Sequence, residues 1–326
     1  MKEPTYRNAL AHAWQITKTQ KMLWFFGFFA AWLGQMGLMD MVAHMIVTQK
    51  EFAWYPTVFS IKTQIPAILQ SFEAVDFSFA DKLWFGWLGL FLLGVGIALI
   101  CVSIASQGAL IHGISQSFSR VKKHIDVSTA WHSGVSHLGR LFFVQLLKKG
   151  IIFVITFFLG LALVNVIDTG KQAQELVVFF ALFILGTFVG VVVSLLSVYA
   201  AGYIVIEKYG FVQAIHEAWN LFKAHWLVSL EIGVMLLFVN LLAAMLIFCI
   251  GLFFLVEMGI LWAAAISIQS TFLWMISVFF GIGLLIVSIA AVGTAMNVFT
   301  TSVWTYLFVR MHKKGMVSRI LHLLVK

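Results

Sequence analysis

The chain has 326 residues, of which 62% are hydrophobic and only 10% charged, and its mean hydropathy is +1.00. Soluble domains carry about 25% charged residues, so a water-soluble core could not hide this much apolar surface. The net charge of +8 comes without a concentrated basic domain, which excludes a nucleic-acid-binding protein. Because the apolar residues are contiguous rather than alternating, we predict an all-α, polytopic helical membrane protein, not a β-barrel.

Six apolar segments are long enough to cross a bilayer, which requires about 20 residues per helix. They cover residues 22–47, 83–112, 145–167, 176–206, 227–255 and 272–309. The first follows a fairly polar stretch and has no short apolar region with a small-residue cleavage site. It therefore predicts a retained span, not a signal peptide.

The distribution of basic residues favours six spans over seven. With six spans, 17 of the 21 Lys and Arg residues lie on the side of the N-terminus and four on the other side. A seventh span would move the five basic residues from Arg310 onward across the membrane, against the rule that Lys and Arg stay in the cytoplasm. We therefore expect both termini to be cytoplasmic, with basic residues near anionic lipid headgroups.

An Ala-Trp pair followed by polar residues precedes the first, third and fifth spans, at Trp14, Trp131 and Trp219. At helical spacing the large apolar residues of each segment share one face, and the polar residues lie away from it. The face in the third segment consists of Phe211, Ile215, Trp219, Phe222 and Trp226. This pattern predicts amphipathic interfacial helices, here called lead-in helices, before the odd-numbered spans.

The ends of the even-numbered spans are also similar to one another, in "SIASQGALIHG", "SVYAAGYIVIEKYG" and "TSVWTYLFVRMHKKG". Since each unit would contain two spans, the units would be parallel repeats rather than inverted ones. We predict units 1–112, 124–206 and 211–310 in a single membrane domain, and an amphipathic tail over 311–326. The long exterior segment 48–82 either caps an external opening or forms a partly helical loop.

A few polar side chains fall within the apolar runs. Glu231 is the only acid well inside one, where it either pairs with Lys223 near the interface or has a binding or proton-transfer role. Asn240 and Asn297 lie deeper, and interhelical hydrogen bonds are expected for both. These three are the candidate intramembrane polar residues.

Gly186 and Gly190 form a GxxxG spacing on the fourth span, extended by Ser194. This pattern predicts a close helix crossing, either with another span of the chain or with a second subunit. Cys101 and Cys249 both lie within apolar runs, so we expect small buried residues and neither a disulfide pair nor a metal site.

The sequence contains no motif for catalysis or for a cofactor. Four histidines of the second cytoplasmic region lack HExxH or CxxC spacing, so no metal site is expected: His112, His124, His132 and His137. No GxSxG, Walker or dinucleotide motif occurs, and no soluble segment is long enough for a catalytic domain. We therefore predict a protein that is not an enzyme and that needs no cofactor.

Three segments carry a resemblance to a known family: "ALAHAWQITKTQKMLWFFGFFA", "SQGALIHGI" and "YIVIEKYGFVQAIHEAWNLFKAHW". They resemble the membrane-domain family found fused to some bacterial glycerophosphodiester phosphodiesterases and also standing alone. The likeness covers most of the chain and implies about six spans, lipid surroundings and a bacterial cytoplasmic membrane. The phosphodiesterase itself has no counterpart here, so the resemblance implies no catalytic residue.

The leading functional hypothesis is a non-catalytic membrane protein for lipid interaction, membrane organisation or scaffolding. Lys223 and Arg140 would then contact anionic headgroups. A small-solute or ion transporter is the first alternative, with a path near Glu231, Asn240 and Asn297. The second alternative is a membrane subunit of a larger complex, docked through the glycine pair of the fourth span.

Overall fold

The computed structural model describes residues 5–34, 79–119, 126–169 and 172–314, and these ranges form eight helices without a strand. In chain order the helices are α1 (Thr5–Thr19), α2 (Met22–Gly34), α3 (Phe79–Ser119), α4 (Val127–Ser136), α5 (Leu138–Thr169), α6 (Gln172–Ile206), α7 (Phe211–Ile268) and α8 (Thr271–Lys314). Most of the predicted exterior segment 48–82 and of the tail 311–326 lies outside the described residues.

Five helices, α3 and α5 to α8, are long and apolar enough to cross a membrane. This confirms the all-α, polytopic membrane class. The apolar α2 begins the predicted first span, and the rest of that span, 35–47, lies outside the described residues. At 1.5 Å per residue, the 44 residues of α8 measure about 66 Å, roughly twice the hydrocarbon thickness of a bilayer. The long helices therefore extend beyond the hydrocarbon core.

Each lead-in segment is helical and ends in a break just before a long apolar helix. α1 and α4 are separate short helices, and the third lead-in is the first part of α7, up to the non-helical residue His225 (φ −132°, ψ 28°). In all three segments the break begins six residues after the tryptophan, at Gln20, His137 and His225. The common spacing agrees with three related units, although their status as repeats stays a prediction.

Hydrogen bonds stabilise the breaks, where helix-terminal carbonyls lack a partner in their own helix. At the first break, the indole Nε1 of Trp24 donates to the carbonyl oxygen of Thr17 at 2.8 Å. At the third, the Ser229 hydroxyl donates to the carbonyl oxygen of His225 at 3.0 Å. At the first and third breaks, a side chain that follows the break thus satisfies a carbonyl at or before it.

On all three lead-in helices the alanine is buried in the bundle and the tryptophan lies at its surface. The alanine of each Ala-Trp pair is fully buried, while the adjacent tryptophan exposes between 36% and 56% of its surface. The buried alanines are Ala13, Ala130 and Ala218, and the exposed rings are Trp14, Trp131 and Trp219. The small side chain lets each helix approach the bundle closely, and two of the rings still contact other helices, Trp14 at Phe299 and Trp131 at Phe26.

The core lies at one end of the bundle, which we call the lead-in end: α1, α4, residues 211–224 and the C-terminal halves of α3, α6 and α8. These last three helices contact one another in every pairing. Each of them also contacts a helix that forms or contains the lead-in segment of a different predicted unit. α4 packs on α3, α7 packs on α6 and α1 packs on α8. The bundle thus closes on itself around a core that includes Ile104, Leu110, Tyr199, Ile204 and Leu307.

Glycine permits the closest helix approaches at this end. A Cβ at Gly134 would lie against the carbonyl oxygen of Ala105 and 2.9 Å from the backbone nitrogen of Ala109, so α4 packs backbone to backbone on α3. A Cβ at Gly202 would lie 3.1 Å from the Phe308 ring, which joins α6 to α8. The similar ends of the even-numbered spans therefore form the interior of the bundle.

The opposite end, called the far end, comprises residues 176–191 of α6, 237–268 of α7 and 271–292 of α8. Its large apolar side chains are mostly exposed, as Phe183, Phe253 and Val287 illustrate. Close packing occurs there within hairpins, for example where Gly281 of α8 meets Met258 of α7. Exposed apolar surface of this extent is typical of a protein that meets lipid instead of water.

Candidate functional site

A groove of about 580 Å³ opens between α5 and the start of α7. We call it the Phe211 groove, because that ring forms its α7 wall and lies 5.9 Å, centroid to centroid, from Phe143 on α5. The remaining wall is one apolar face of α5 and includes Leu147, Gly150 and Val154. The groove thus consists almost entirely of hydrocarbon and aromatic surface, at the junction of the second and third hairpins.

A second groove, of about 390 Å³, lies between α5, α6 and α8. We call it the Trp304 groove after the α8 side chain in its wall. Ile152 and Ile155 line it from α5, and Gly190 and Ser194 line it from α6. Both grooves are open and mainly apolar, so they offer surface for a hydrocarbon chain rather than for a polar solute.

Arg140, a predicted lipid contact, lies at the edge of the Phe211 groove, one turn before Phe143. Its Nη1 donates to the carbonyl oxygens of Lys208 and Tyr209, both at 3.3 Å. Lys208 has a positive φ of 60°, so the guanidinium supports a left-handed turn between α6 and α7. Arg140 is exposed, and it therefore combines this structural contact with a positive charge beside an apolar groove.

Two lead-in helices carry the same exposed pair of side chains. The Lys18 ammonium lies 5.6 Å from the ring centroid of Trp14, and that of Lys223 lies 5.2 Å from Trp219. Each lysine follows its tryptophan by four residues, which places both on one helix face. The Lys223 ammonium thus has an aromatic neighbour, and its pairing with Glu231 stays a prediction.

The three candidate intramembrane residues do not converge on a common path. Asn297 donates from Nδ2 to the carbonyl oxygen of Gly27 at 3.0 Å and so joins α8 to α2. Asn240 is exposed on α7, and no hydrogen bond connects it to the described helices, contrary to the interhelical bond that we expected. Glu231 is half-buried on α7. Neither groove is lined by any of the three.

The glycine pair on α6 is divided between two environments. A Cβ at Gly186 would lie 2.7 Å from Cγ2 of Ile155, so its partner is α5 of the same chain. A Cβ at Gly190 would meet nothing within 4 Å, because this residue faces the Trp304 groove. The close crossing therefore lies within the second hairpin, and the rest of the small-residue stripe lines an open surface.

Sequence reasoning missed two polar contacts inside the bundle. The buried hydroxyl of Tyr199 lies 2.6 Å from the Ser229 hydroxyl, which itself donates to a carbonyl at the third break. On the other side, Nε2 of Gln145 donates to Oε1 of Gln107 at 2.7 Å, which joins α5 to α3. In each case a polar residue within an apolar run could have indicated a hydrogen bond. The sequence does not show which residue is its partner.

The described histidines of the second region make local hydrogen bonds. The His112 and Gln116 side-chain nitrogens lie 3.0 Å apart, and Nδ1 of His137 lies 2.7 Å from the carbonyl oxygen of Ser133. His124 lies outside the described residues. Cys101 and Cys249 are free thiols, but Cys101 is half-buried and Cys249 is exposed, so the predicted burial is wrong.

Electrostatics at the lead-in end also involve α1. His12 lies against Tyr306 of α8, with ring centroids 5.9 Å apart, and Arg310 lies over the same tyrosine. Burial lowers the pKa of His12, and the positive charge of Arg310 lowers this pKa further. The neutral imidazole is therefore the favoured form where α1 docks on α8.

Comparison of the chain with protein-family models, curated proteins and solved structures gave no match in any of the three searches. The resemblance to the phosphodiesterase-associated membrane-domain family therefore stays a prediction. The membrane class is inferred from the five long apolar helices. A function can be argued only from the geometry of the grooves and the charged side chains.

Proposed function

We propose that this integral membrane protein binds anionic phospholipids at its lead-in end and acts in lipid handling or membrane organisation without catalysing a reaction. The observation that carries the proposal is the exposed tryptophan–lysine pair on two separate lead-in helices. Tryptophan is enriched at the headgroup level of membranes, and each nearby Lys or Arg adds about 1 kcal/mol of attraction to an anionic surface.

The helix geometry supports simultaneous contact with both parts of a lipid. The alanine face of each lead-in helix is occupied by the bundle, so the adjacent rings and ammonium groups are directed outward. A ring can enter the boundary between headgroups and acyl chains while the ammonium pairs with a phosphate. Arg140 repeats this combination at the Phe211 groove, where a positive charge adjoins apolar surface.

We also propose that the chain is related to the phosphodiesterase-associated membrane-domain family. Its location would be a bacterial cytoplasmic membrane. With both termini in the cytoplasm, the lead-in end would face the cytoplasmic leaflet. That leaflet is the one whose anionic lipids attract basic residues. The transporter alternative has less support, since its three candidate residues do not meet at either groove.

The proposal is tested in nanodiscs that contain phosphatidylcholine with or without phosphatidylglycerol. Lipid bound to the purified protein is extracted and quantified by mass spectrometry against the bulk composition. We expect enrichment of phosphatidylglycerol around the wild type, and a loss of affinity greater than about tenfold in the Lys18→Gln/Lys223→Gln double variant. Lys82→Gln, which removes one charge at the opposite end of α3, is the control and should retain the enrichment.

Two results would contradict the proposal. One is a wild-type protein whose bound lipid has the bulk composition. The other is a double variant that keeps the same enrichment as the Lys82→Gln control.

A further inference from the structure

Lys148 is the more buried of two adjacent lysines in the first third of α5. It is half-buried, whereas Lys149 is exposed, and no hydrogen bond or ion pair joins the Lys148 ammonium to any residue in the described ranges. Leu147 precedes the lysine pair, and Ile152 and Phe153 follow it along the helix. Charged side chains at such positions are costly unless an anion or water meets them, so the lysine requires a partner.

Most of the surrounding helices offer no acidic partner. The apolar spans 83–117, 138–162, 176–206 and 277–312, which belong to α3, α5, α6 and α8, contain no Asp or Glu. Acids occur on α7, which also contacts α5, at Glu217, Glu231 and Glu257, and no ion pair joins Lys148 to any of them. One turn away, Gln145 is already bonded to Gln107 of α3. An anion from outside the bundle can therefore serve as the counter-ion of Lys148.

Lys148 lies on the same face of α5 as the residues that line the Trp304 groove. Lys148, Ile152 and Ile155 share one face of α5 at helical spacing, and the two isoleucines line the groove. Because α5 and α6 are antiparallel and Gly186 meets Ile155, Lys148 is level with Ser194 on α6. Lys148 is not itself a lining residue of the groove, but it lies one helical turn before Ile152, at the level of the Ser194 hydroxyl.

We propose that the Trp304 groove binds one anionic phospholipid, whose phosphate pairs with Lys148 and whose acyl chain lies along Ile152 and Ile155. The inference deepens the proposed function and rests on it. From Lys148 to the end of α5 is about 32 Å at 1.5 Å per residue, which matches the hydrocarbon thickness of a bilayer. Lys148 is thus near the level of a headgroup, and the groove continues from it toward the acyl region.

Charge and shape determine the class of ligand. An open apolar groove accepts an acyl chain, and an ammonium without a protein counter-ion favours a ligand with a net negative charge. A zwitterionic lipid brings its own cation close to Lys148 and should bind less tightly. The absence of a side chain at Gly190 leaves the groove wall open for the chain.

The test uses the full chain in mixed phosphatidylcholine–phosphatidylglycerol nanodiscs, followed by transfer to detergent and native mass spectrometry of the lipid that stays bound. The wild type should retain one phosphatidylglycerol per chain. Lys148→Gln should weaken this retention by about tenfold or more, as expected for the loss of a charge-assisted contact. Gly190→Leu, which fills the groove and leaves the charge, should also abolish it.

Lys149→Gln is the matched control, because it removes the same charge from the adjacent, exposed residue. It should retain the lipid, and Lys148→Arg should restore it. Folding of every variant is checked by size-exclusion elution and thermal unfolding, and if Lys148→Gln does not fold, Lys148→Arg and Gly190→Leu decide the question. Equal retention in Lys148→Gln and Lys149→Gln, or full retention in Gly190→Leu, would overturn the inference.

These outcomes separate the two proposals. If the wild type shows no preference for phosphatidylglycerol, the proposed function fails and the groove site fails with it. If the preference persists in every Lys148 and Gly190 variant but is lost in Lys18→Gln/Lys223→Gln, only the groove site fails.

Discussion

The lead-in end and the far end of the bundle share the helices α6, α7 and α8, yet they pack differently. At the lead-in end, α3, α6 and α8 contact one another, and alanine and glycine bring the lead-in helices close to them. At the far end, the same helices expose most of their large apolar side chains. One half of a helix can therefore pack on other helices while the other half faces lipid.

The difference follows from the side chains that meet between helices. In a bilayer the hydrophobic effect does not drive helices together, so association depends on close packing and interhelical hydrogen bonds. Small residues and buried polar groups are concentrated at the lead-in end, for example Gly134, Gly202 and Tyr199. The far end has bulky residues such as Phe253 and Leu255, which lipid solvates as well as protein does.

The largest effect should come from removing volume from the buried core. Leu236 and Leu242 lie on the same helix, α7, and expose 3% and 67% of their surfaces respectively. We expect Leu236→Ala to lower the free energy of unfolding by about 2–4 kcal/mol, because a cavity is left in packed surroundings. Leu242→Ala should change it by less than about 0.5 kcal/mol. Reversible unfolding in detergent micelles measures the free energy of unfolding of both variants. Equal losses would contradict the conclusion that Leu236 packs on protein and Leu242 faces lipid.

A smaller loss is expected from adding volume between α4 and α3. A Cβ at Gly134 would press on the Ala105 carbonyl, so Gly134→Ala should destabilise the protein by about 1–3 kcal/mol through forced separation of the helices. Gly139→Ala is the control, since a Cβ there meets nothing within 4 Å. Thermal unfolding compares the two variants. If Gly134→Ala is as stable as Gly139→Ala, α4 does not dock backbone to backbone on α3.

The smallest effect concerns the two intramembrane asparagines. Asn297→Leu removes the hydrogen bond to Gly27 and should cost about 0.5–1.5 kcal/mol, the usual range for an interhelical hydrogen bond in a membrane. Asn240→Leu should be neutral or stabilising, because this amide is exposed among apolar side chains. Chemical unfolding in micelles with the two variants side by side measures the difference. A larger loss in Asn240→Leu would show that this residue has a partner, as a transport path would require.

Much of the architecture could be predicted because the relevant signals are local. Contiguous apolar runs predicted the long helices, and the Ala-Trp pattern predicted the lead-in helices. The same pattern predicted an apolar face at the membrane boundary, but it did not identify Ala13, Ala130 and Ala218 as the residues that pack on the bundle. In a bilayer, one helix can bury its aromatic rings in lipid and its alanines in protein. Helical periodicity does not show which face meets the lipid and which meets the protein.

The candidate site was less predictable, since it depends on which helices are neighbours. Lys223, Arg140 and Asn297 were identified as candidates from their place in the chain. Their partners, namely the Trp219 ring, the carbonyls after α6 and the Gly27 carbonyl, became visible only in the folded chain. Lys148 was counted only as part of the charge distribution, and its position at a groove depends on the antiparallel pairing of α5 with α6.

By itself, the sequence determined the membrane class, the helix positions and the three lead-in segments, because hydropathy and periodicity are properties of consecutive residues. Tertiary structure decided that the lead-in helices pack on α3, α6 and α8, that Gly186 pairs with α5, and that two apolar grooves remain open. The physical reason is that packing joins residues far apart in the chain, and in apolar helices many pairings satisfy the same hydropathy. Small residues and single hydrogen bonds select among those pairings only when the helices meet.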